Sequence, residues 1–219
     1  MPQEHVDVGR RWLTGGDSTS LVDRLRDALM LAAVIVTSAV SRRPVRPLGD
    51  EPLRPLPGDE LVPAELQWTH GVTIRGGPAE IWPWLAQLGC TRAGWYSYDR
   101  LDNDGVPSAQ RIVPELQHVA VGDILPWTPV DADGFVVRAV DPERALVMGD
   151  PDGWLTWALV LDPVDATTTR LLARVRIRPA RQDALTSRLA VRLGWRPVHF
   201  GMQRRQLLNI KRRVEAGTR

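Results

Sequence analysis

Alternation of apolar and polar residues organises most of this chain. Between positions 69 and 75, His70, Val72 and Ile74 share one face, which predicts a strand with those side chains turned inward. The period then changes. Over 78–88, Ile81, Trp84, Leu85 and Leu88 recur at helical spacing; Pro78 suits a first turn and Gly89 the position past the end. Pro83 removes a backbone donor within that stretch, so a kink or a late helix start is expected there. Five more strands are predicted over 121–127, 135–141, 145–149, 154–161 and 168–178. Asp-rich turns containing Gly or Pro separate them at 131–134, 141–144, 150–153 and 162–165. Connections this short join antiparallel neighbours, so the five read as a meander.

The last strand carries the clearest pattern. Leu171, Ala173, Val175 and Ile177 lie on one face, with Arg170, Arg174, Arg176 and Arg178 on the other. One covered and one wet face is expected, which leaves the arginine row solvated. The cover is a helix predicted over 197–215, where Phe200, Leu207, Ile210 and Val214 fall within an arc of about 80°. Leu185, Leu189 and Leu193 suggest a shorter helix before it, stopped by Gly194.

The chain ahead of these elements is different. Residues 28–40 are apolar and uncharged, but a spanning helix needs about 20 such residues. Flanked by Asp23 and Asp27 and by Arg42 and Arg43, the segment reads as a helix packed on the domain or on a partner chain. The other reading is an interfacial helix whose arginines meet anionic lipid. Residues 44–63 hold six prolines with Gly49 and Gly58 and show no period, as an extended connector that wraps or links would. Three parts are therefore expected: an appendage over 1–43, a connector over 44–66 and a main domain over 67–217.

Composition narrows the class of function. With 43% hydrophobic and 25% charged residues the chain is neither disordered nor a multi-span membrane protein. A single cysteine, Cys90, excludes an internal disulfide framework and a Cys-based zinc cluster, and beside Gly89 it reads as a small apolar residue at a helix end. His5, His70, His118 and His199 lack ligand-type spacing, so no metal is expected. No phosphate-cradling glycine loop, dinucleotide fingerprint or serine elbow appears, and no cofactor is expected. A net charge of +2 gives no field directed at nucleic acid. The opening residues 1–19 are polar and mixed in charge, unlike a secretory signal. A cytoplasmic protein is expected, with membrane or homo-oligomer contact through the 28–40 helix.

A strand, a helical insert, a meander and a long final helix make an α+β domain in which a curved antiparallel sheet wraps one helix. Such a sheet rarely fills its own concavity, so a pocket between sheet and helix follows. Several strings within this order resemble the START-like helix-grip (SRPBCC) superfamily, in an actinobacterial-type branch akin to polyketide cyclases and dehydrases. They are LPGDELV at 56–62, IWPWLAQLG at 81–89, RAGWYSYDRLDN at 92–103, RIVPELQHVAVGD at 111–123 and MQRRQLLNIKRRVE at 202–215. The resemblance implies a helix-grip fold with an internal cavity. It further implies either a binder of a small hydrophobic molecule (aromatic, isoprenoid or acyl) or a cyclase- or dehydratase-type enzyme.

Candidate ligand residues follow from this frame. The string 92–99 gathers Arg92, Trp95, Tyr96, Tyr98 and Asp99, aromatic bodies with polar tips that suit an apolar pocket and one ligand oxygen. The bland alternative has the tyrosines capping helix packing and Arg92 paired with Asp99 or Asp102. Arg111 and Glu115 would pair one turn apart if helical, with His118 a candidate general base nearby. His70 is either an inward ligand group or a hydrogen-bonded core residue. Nine tryptophans against two phenylalanines and two tyrosines is unusual. Trp84, Trp127, Trp154 and Trp157 are read as core or as walls for a planar ligand. Under the enzymatic reading Tyr98, Arg92 or His70 would move or stabilise a proton.

Overall fold

The computed structural model describes residues 43–127, 134–178 and 191–217, and the single position Ala32. The segment expected to form an N-terminal helix, the turn at 131–133 and the stretch holding Leu185 and Leu189 lie outside the described residues.

Among the described residues six antiparallel strands form one curved sheet in the order β1-β6-β5-β4-β3-β2. They are β1 (Leu66–Arg75), β2 (Ile124–Pro126), β3 (Gly134–Asp141), β4 (Ala145–Gly149), β5 (Leu155–Asp165) and β6 (Thr168–Ile177). The meander is present, and β1 closes against its last strand in a register that sets His70 beside Ala173. Register shifts between Val137 and Ala139 and between Pro163 and Asp165 sharpen the bend. β2 is shorter than expected. Gly122, at φ 96, carries the preceding backbone out of strand conformation, and only three residues pair with β3.

Helix α1 (Pro78–Ala86) starts at Pro78 and not after Pro83. The Glu80 carboxylate accepts the Gly77 N–H at 2.7 Å, and Pro78 has no first-turn donor to leave unpaired, so the start is fixed upstream of Pro83. A four-residue helix, α2 (Asp99–Asp102), follows in the connection to β2.

The long helix α3 (Arg196–Gly217) crosses the concave face. Its Phe200, Leu207, Ile210 and Val214 join Val72, Ile74, Leu159, Leu171 and Val175 in one core. Each such side chain contributes about 1.5–3 kcal/mol on burial, which is what holds helix to sheet. A π-helical turn at Val191–Trp195 runs directly into α3, so Gly194 does not stop a helix. Its backbone stays out of the left-handed conformation that a glycine helix end requires.

The outer face of the sheet is not wet at its centre, contrary to the pattern on β6. Arg170 and Arg174 are 7% and 1% exposed. The proline-rich segment before β1 lies over them with Leu56 and Val62 buried, and Leu56 meets Val147, Ala158, Val160 and Leu172 in a second apolar cluster. Glu51 accepts from Arg170 Nε and Nη2 at 2.8 and 2.7 Å, while Asp59 accepts from Arg174 Nη1 at 2.5 Å. The carbonyls of Arg54 and Glu51 and the Thr69 hydroxyl accept three further Arg174 protons. Two guanidinium groups can be buried here because acceptors meet them on several sides. Arg178, at the strand end, does remain exposed.

Candidate functional site

The chain between α1 and α2 is built to present alternate side chains to opposite sides. Gly89 and Gly94 bridge each other, and both need positive φ, 128° and 82°. Cys90 N–H and Trp95 Nε1–H then donate to the Pro126 carbonyl at 2.8 and 3.1 Å, tying the loop to β2. Tyr96 follows at φ 57, uncommon for a non-glycine residue. It is held there by Ser108 Oγ on its N–H, Asn209 Nδ2 on its carbonyl and Gln87 Nε2 on its hydroxyl. This bend sends Trp95 and Tyr96 into different spaces.

Trp95 faces a cavity of about 110 Å³ between α3 and the concave side of β3 and β5. An apolar cavity of about 150 Å³ takes up benzene, so this space is scaled to one aromatic ring and not to a long chain. Its aromatic wall is continuous. Trp95 stacks on Trp157 with centroids 5.5 Å apart, and Phe135 meets both edge-on at 5.7 and 5.4 Å. Trp127 packs against Phe135 at 5.0 Å, and Trp154 and Trp195 line the same space.

Polar groups around this cavity are buried without partners. Asp102 is 4% exposed, and neither of its carboxyl oxygens has a hydrogen bond. Ser97 Oγ, Trp157 Nε1, His199 Nδ1 and Gln203 Oε1 are likewise unpartnered, and all five residues line the cavity. Leaving one such group unsatisfied costs about 1–3 kcal/mol, so gathering several at one hollow marks it as a place for a ligand.

Titration separates the roles. Burial pushes the Asp102 carboxyl up to about 7, and the nearby charge of Asp99 adds to this. The Ser97 hydroxyl, the Tyr98 backbone and Arg205 pull the other way without offsetting burial. Burial pushes His199 down to about 3, helped by His70, so its imidazole is neutral at ordinary pH. It stacks on Trp195 at 4.4 Å and meets Trp157 edge-on at 5.6 Å. Asp150 also lines the cavity with its carboxyl raised by burial, but its oxygens accept the N–H groups of Leu155 and Asp152 at 2.6 and 2.9 Å. Gln203 Nε2 donates to Gln206 Oε1 at 2.7 Å on α3. Among the described residues no three His, Cys, Asp or Glu side chains form a metal-ligating group.

Of the residues singled out in the sequence, Trp95 and Trp157 line this cavity, as do Trp127 and Trp154. Trp84, Tyr96 and Arg111 line a separate groove of about 780 Å³ beside α3, together with Arg205, Arg212 and Arg213. There Arg213 lies 4.7 Å over the Tyr96 ring. Burial pushes the Tyr96 hydroxyl up to about 12, with the Gln87 amide and Arg213 opposing, so it holds its proton at neutral pH. Tyr98 packs under Arg205 at 4.4 Å. Arg92 pairs with neither Asp99 nor Asp102; its Nη2 donates to the carbonyls of Ala86 and Leu116 at 2.9 and 3.2 Å. His70 stands on the inner face of β1 with its ring 4.8 Å from Phe200. Arg111 and Glu115 form no ion pair among the described residues, because Pro114–Leu116 is a single 3-10 turn and not an α-helix. His118 is exposed beyond that turn.

Asp102, Ser97, His199 and Gln203 were not legible as site residues. One signal existed: at 100° per residue Gln203 falls inside the arc set by Phe200, Leu207, Ile210 and Val214, a polar side chain in an apolar stripe.

No protein-family model matches the chain, and no curated protein does. Solved structures similar to it include a polyketide-cyclase-like protein from Corynebacterium glutamicum, with 17% identity and a TM-score of 0.39 over 72% of this chain and 96% of that one. Another is the self-sacrificing resistance protein CalC from Micromonospora echinospora, at 15% identity and TM-score 0.36 over 69% and 95%. A third, from Mycobacterium smegmatis, has 14% identity and TM-score 0.37 over 69% and 92%.

Proposed function

We propose that this protein binds a small hydrophobic, ring-sized molecule in the cavity between its sheet and α3. The observation that carries the reading is the aromatic lining itself: Trp95, Phe135 and Trp157 in mutual contact, with Trp127 against Phe135, around one hollow. Trp127, Phe135, Trp154 and Trp195 are only half-buried there, leaving apolar surface that a ring-sized ligand would cover. Indole and phenyl rings lining the space favour a planar aromatic or conjugated ligand over a flexible acyl chain.

Titrating the protein with small aromatic molecules while following tryptophan emission tests this directly. Saturable quenching, together with a retained small molecule in native mass spectra of fresh protein, is the expected result. Emission unaffected by every ring-sized apolar probe would remove the reading.

A second reading, a cyclase- or dehydratase-type reaction in the same cavity, is favoured by one observation. Asp102 holds a carboxyl tuned to titrate near neutrality beside that space, as a general acid or base requires. Turnover of a reactive polyketone by the native protein, lost in Asp102→Asn, is what this reading expects.

A further inference from the structure

Asp102 is the least explained polar side chain around the cavity. It lies at the end of α2, 4% exposed, with both oxygens unpartnered and no ion pair among the described residues. A carboxylate in that position would be a buried charge that Ser97, the Tyr98 backbone and Arg205 offset only in part, so burial favours keeping the proton on. A carboxylic acid, in contrast, has one strong O–H donor to give. The Trp157 indole N–H is a second donor lacking an acceptor on the same lining. Two idle donors beside an aromatic slot call for an acceptor atom on the ligand.

Resting on the binding reading above, we propose that the ligand is a neutral aryl ketone, or a closely related conjugated carbonyl compound, whose oxygen accepts the carboxyl proton of Asp102 in a hydrogen bond. The charged and titratable neighbours are consistent with this. Asp99, on the same short helix, disfavours a second negative charge, and Arg205 on α3 favours one while lying over the Tyr98 ring. Cys90 feels the Asp102 charge, with its own thiol pushed up first by burial. His199 is neutral, and Asp150, on the same lining, already spends its oxygens on backbone N–H groups. The donor is thus present in acid solution, half present near neutrality and absent once Asp102 ionises.

The test uses acetophenone and its methylene isostere α-methylstyrene, neither of which titrates between pH 5 and 9. Binding of each is followed by tryptophan emission for the native protein, Asp102→Asn and Asp102→Leu. The native protein should bind acetophenone more tightly than α-methylstyrene at pH 6. It should then lose roughly tenfold in acetophenone affinity by pH 8, as the protonated fraction falls tenfold, with α-methylstyrene unaffected. Asp102→Asn, which keeps an N–H donor, should bind acetophenone without pH dependence, and Asp102→Leu should treat both probes alike. Equal, pH-independent binding of the two probes by the native protein would overturn the proposal while leaving the binding reading intact. So would a pH dependence that survives in Asp102→Asn. Failure of both probes to bind any variant would instead overturn the binding reading and the proposal with it.

Discussion

Arg174 Nη1 and Asp59 Oδ2 are 2.5 Å apart across the outer face of the sheet, joining β6 to a segment 115 residues earlier in the chain. The pair is the centre of a strap in which proline-rich backbone lends carbonyls to an arginine that water does not reach. Substitution Arg174→Ala should lower the free energy of unfolding by about 3–5 kcal/mol in urea titrations, because it takes the shortest donor from the Asp59 carboxylate and leaves two carbonyls and the Thr69 hydroxyl without the guanidinium. Asp59→Ala should also be costly, because it leaves the buried Arg174 guanidinium without its carboxylate. A loss under about 1 kcal/mol for Arg174→Ala would mean that the strap adds nothing to the fold.

Acid should loosen the same strap through Glu51. Burial opposes ionisation of this carboxyl, but the Arg170 guanidinium and the Leu48 N–H override it and hold the group below its ordinary value of 4.5. The stabilisation it confers is therefore complete above that pH and is withdrawn as pH falls through the lower folded value. Denaturation midpoints between pH 7 and pH 3 should drop in the acid range for the native protein. The drop should be shallower in Glu51→Gln, which starts less stable at pH 7. Parallel profiles for the two proteins would exclude Glu51 as a source of the acid sensitivity.

Trp157 and Tyr96 should separate ligand binding from support of the loop. Trp157→Phe removes an indole from the aromatic wall and should weaken binding of a ring-sized probe several-fold at modest expense to stability. Tyr96→Phe removes the acceptor of the Gln87 amide, whose Nε2 also reaches the Arg111 carbonyl. It should cost about 1 kcal/mol in unfolding and leave probe affinity unchanged. Loss of probe binding in Tyr96→Phe would move the site from the tryptophan-lined cavity to the groove beside α3.

Gly94 controls how Trp95 is delivered. Its φ of 82° disfavours any side chain, and a Cβ placed there would sit 2.3 Å from Ser108 Oγ. That hydroxyl receives the Tyr96 N–H and donates to Asp99. Gly94→Ala should destabilise the protein by about 1–3 kcal/mol and lower probe affinity, because the displaced Ser108 lets Trp95 and Asp102 shift together. Wild-type affinity and melting temperature in this variant would show that the turn is not what positions the wall.

The strands over 145–149 and 168–177, the helix from Pro78, the long terminal helix and the inward set on β1 were all written in local periodicity. Alternation and helical spacing depend on which face is apolar, and that is a property of neighbouring residues. The arginine row of β6 could not be read this way. Charge predicts a wet face unless acceptors are supplied from elsewhere, and here Glu51 and Asp59 arrive from more than a hundred residues away. The site divided along the same line. Nine tryptophans announced an aromatic interior, but only folding decided that Trp95 and Trp157 stack while Trp84 goes to the other side of the loop. Asp102 read as a possible partner for Arg92, and Gln203 as a polar residue inside an apolar helical stripe. What sets them apart, buried oxygens that accept no hydrogen bond, exists only once distant segments close around them and exclude water.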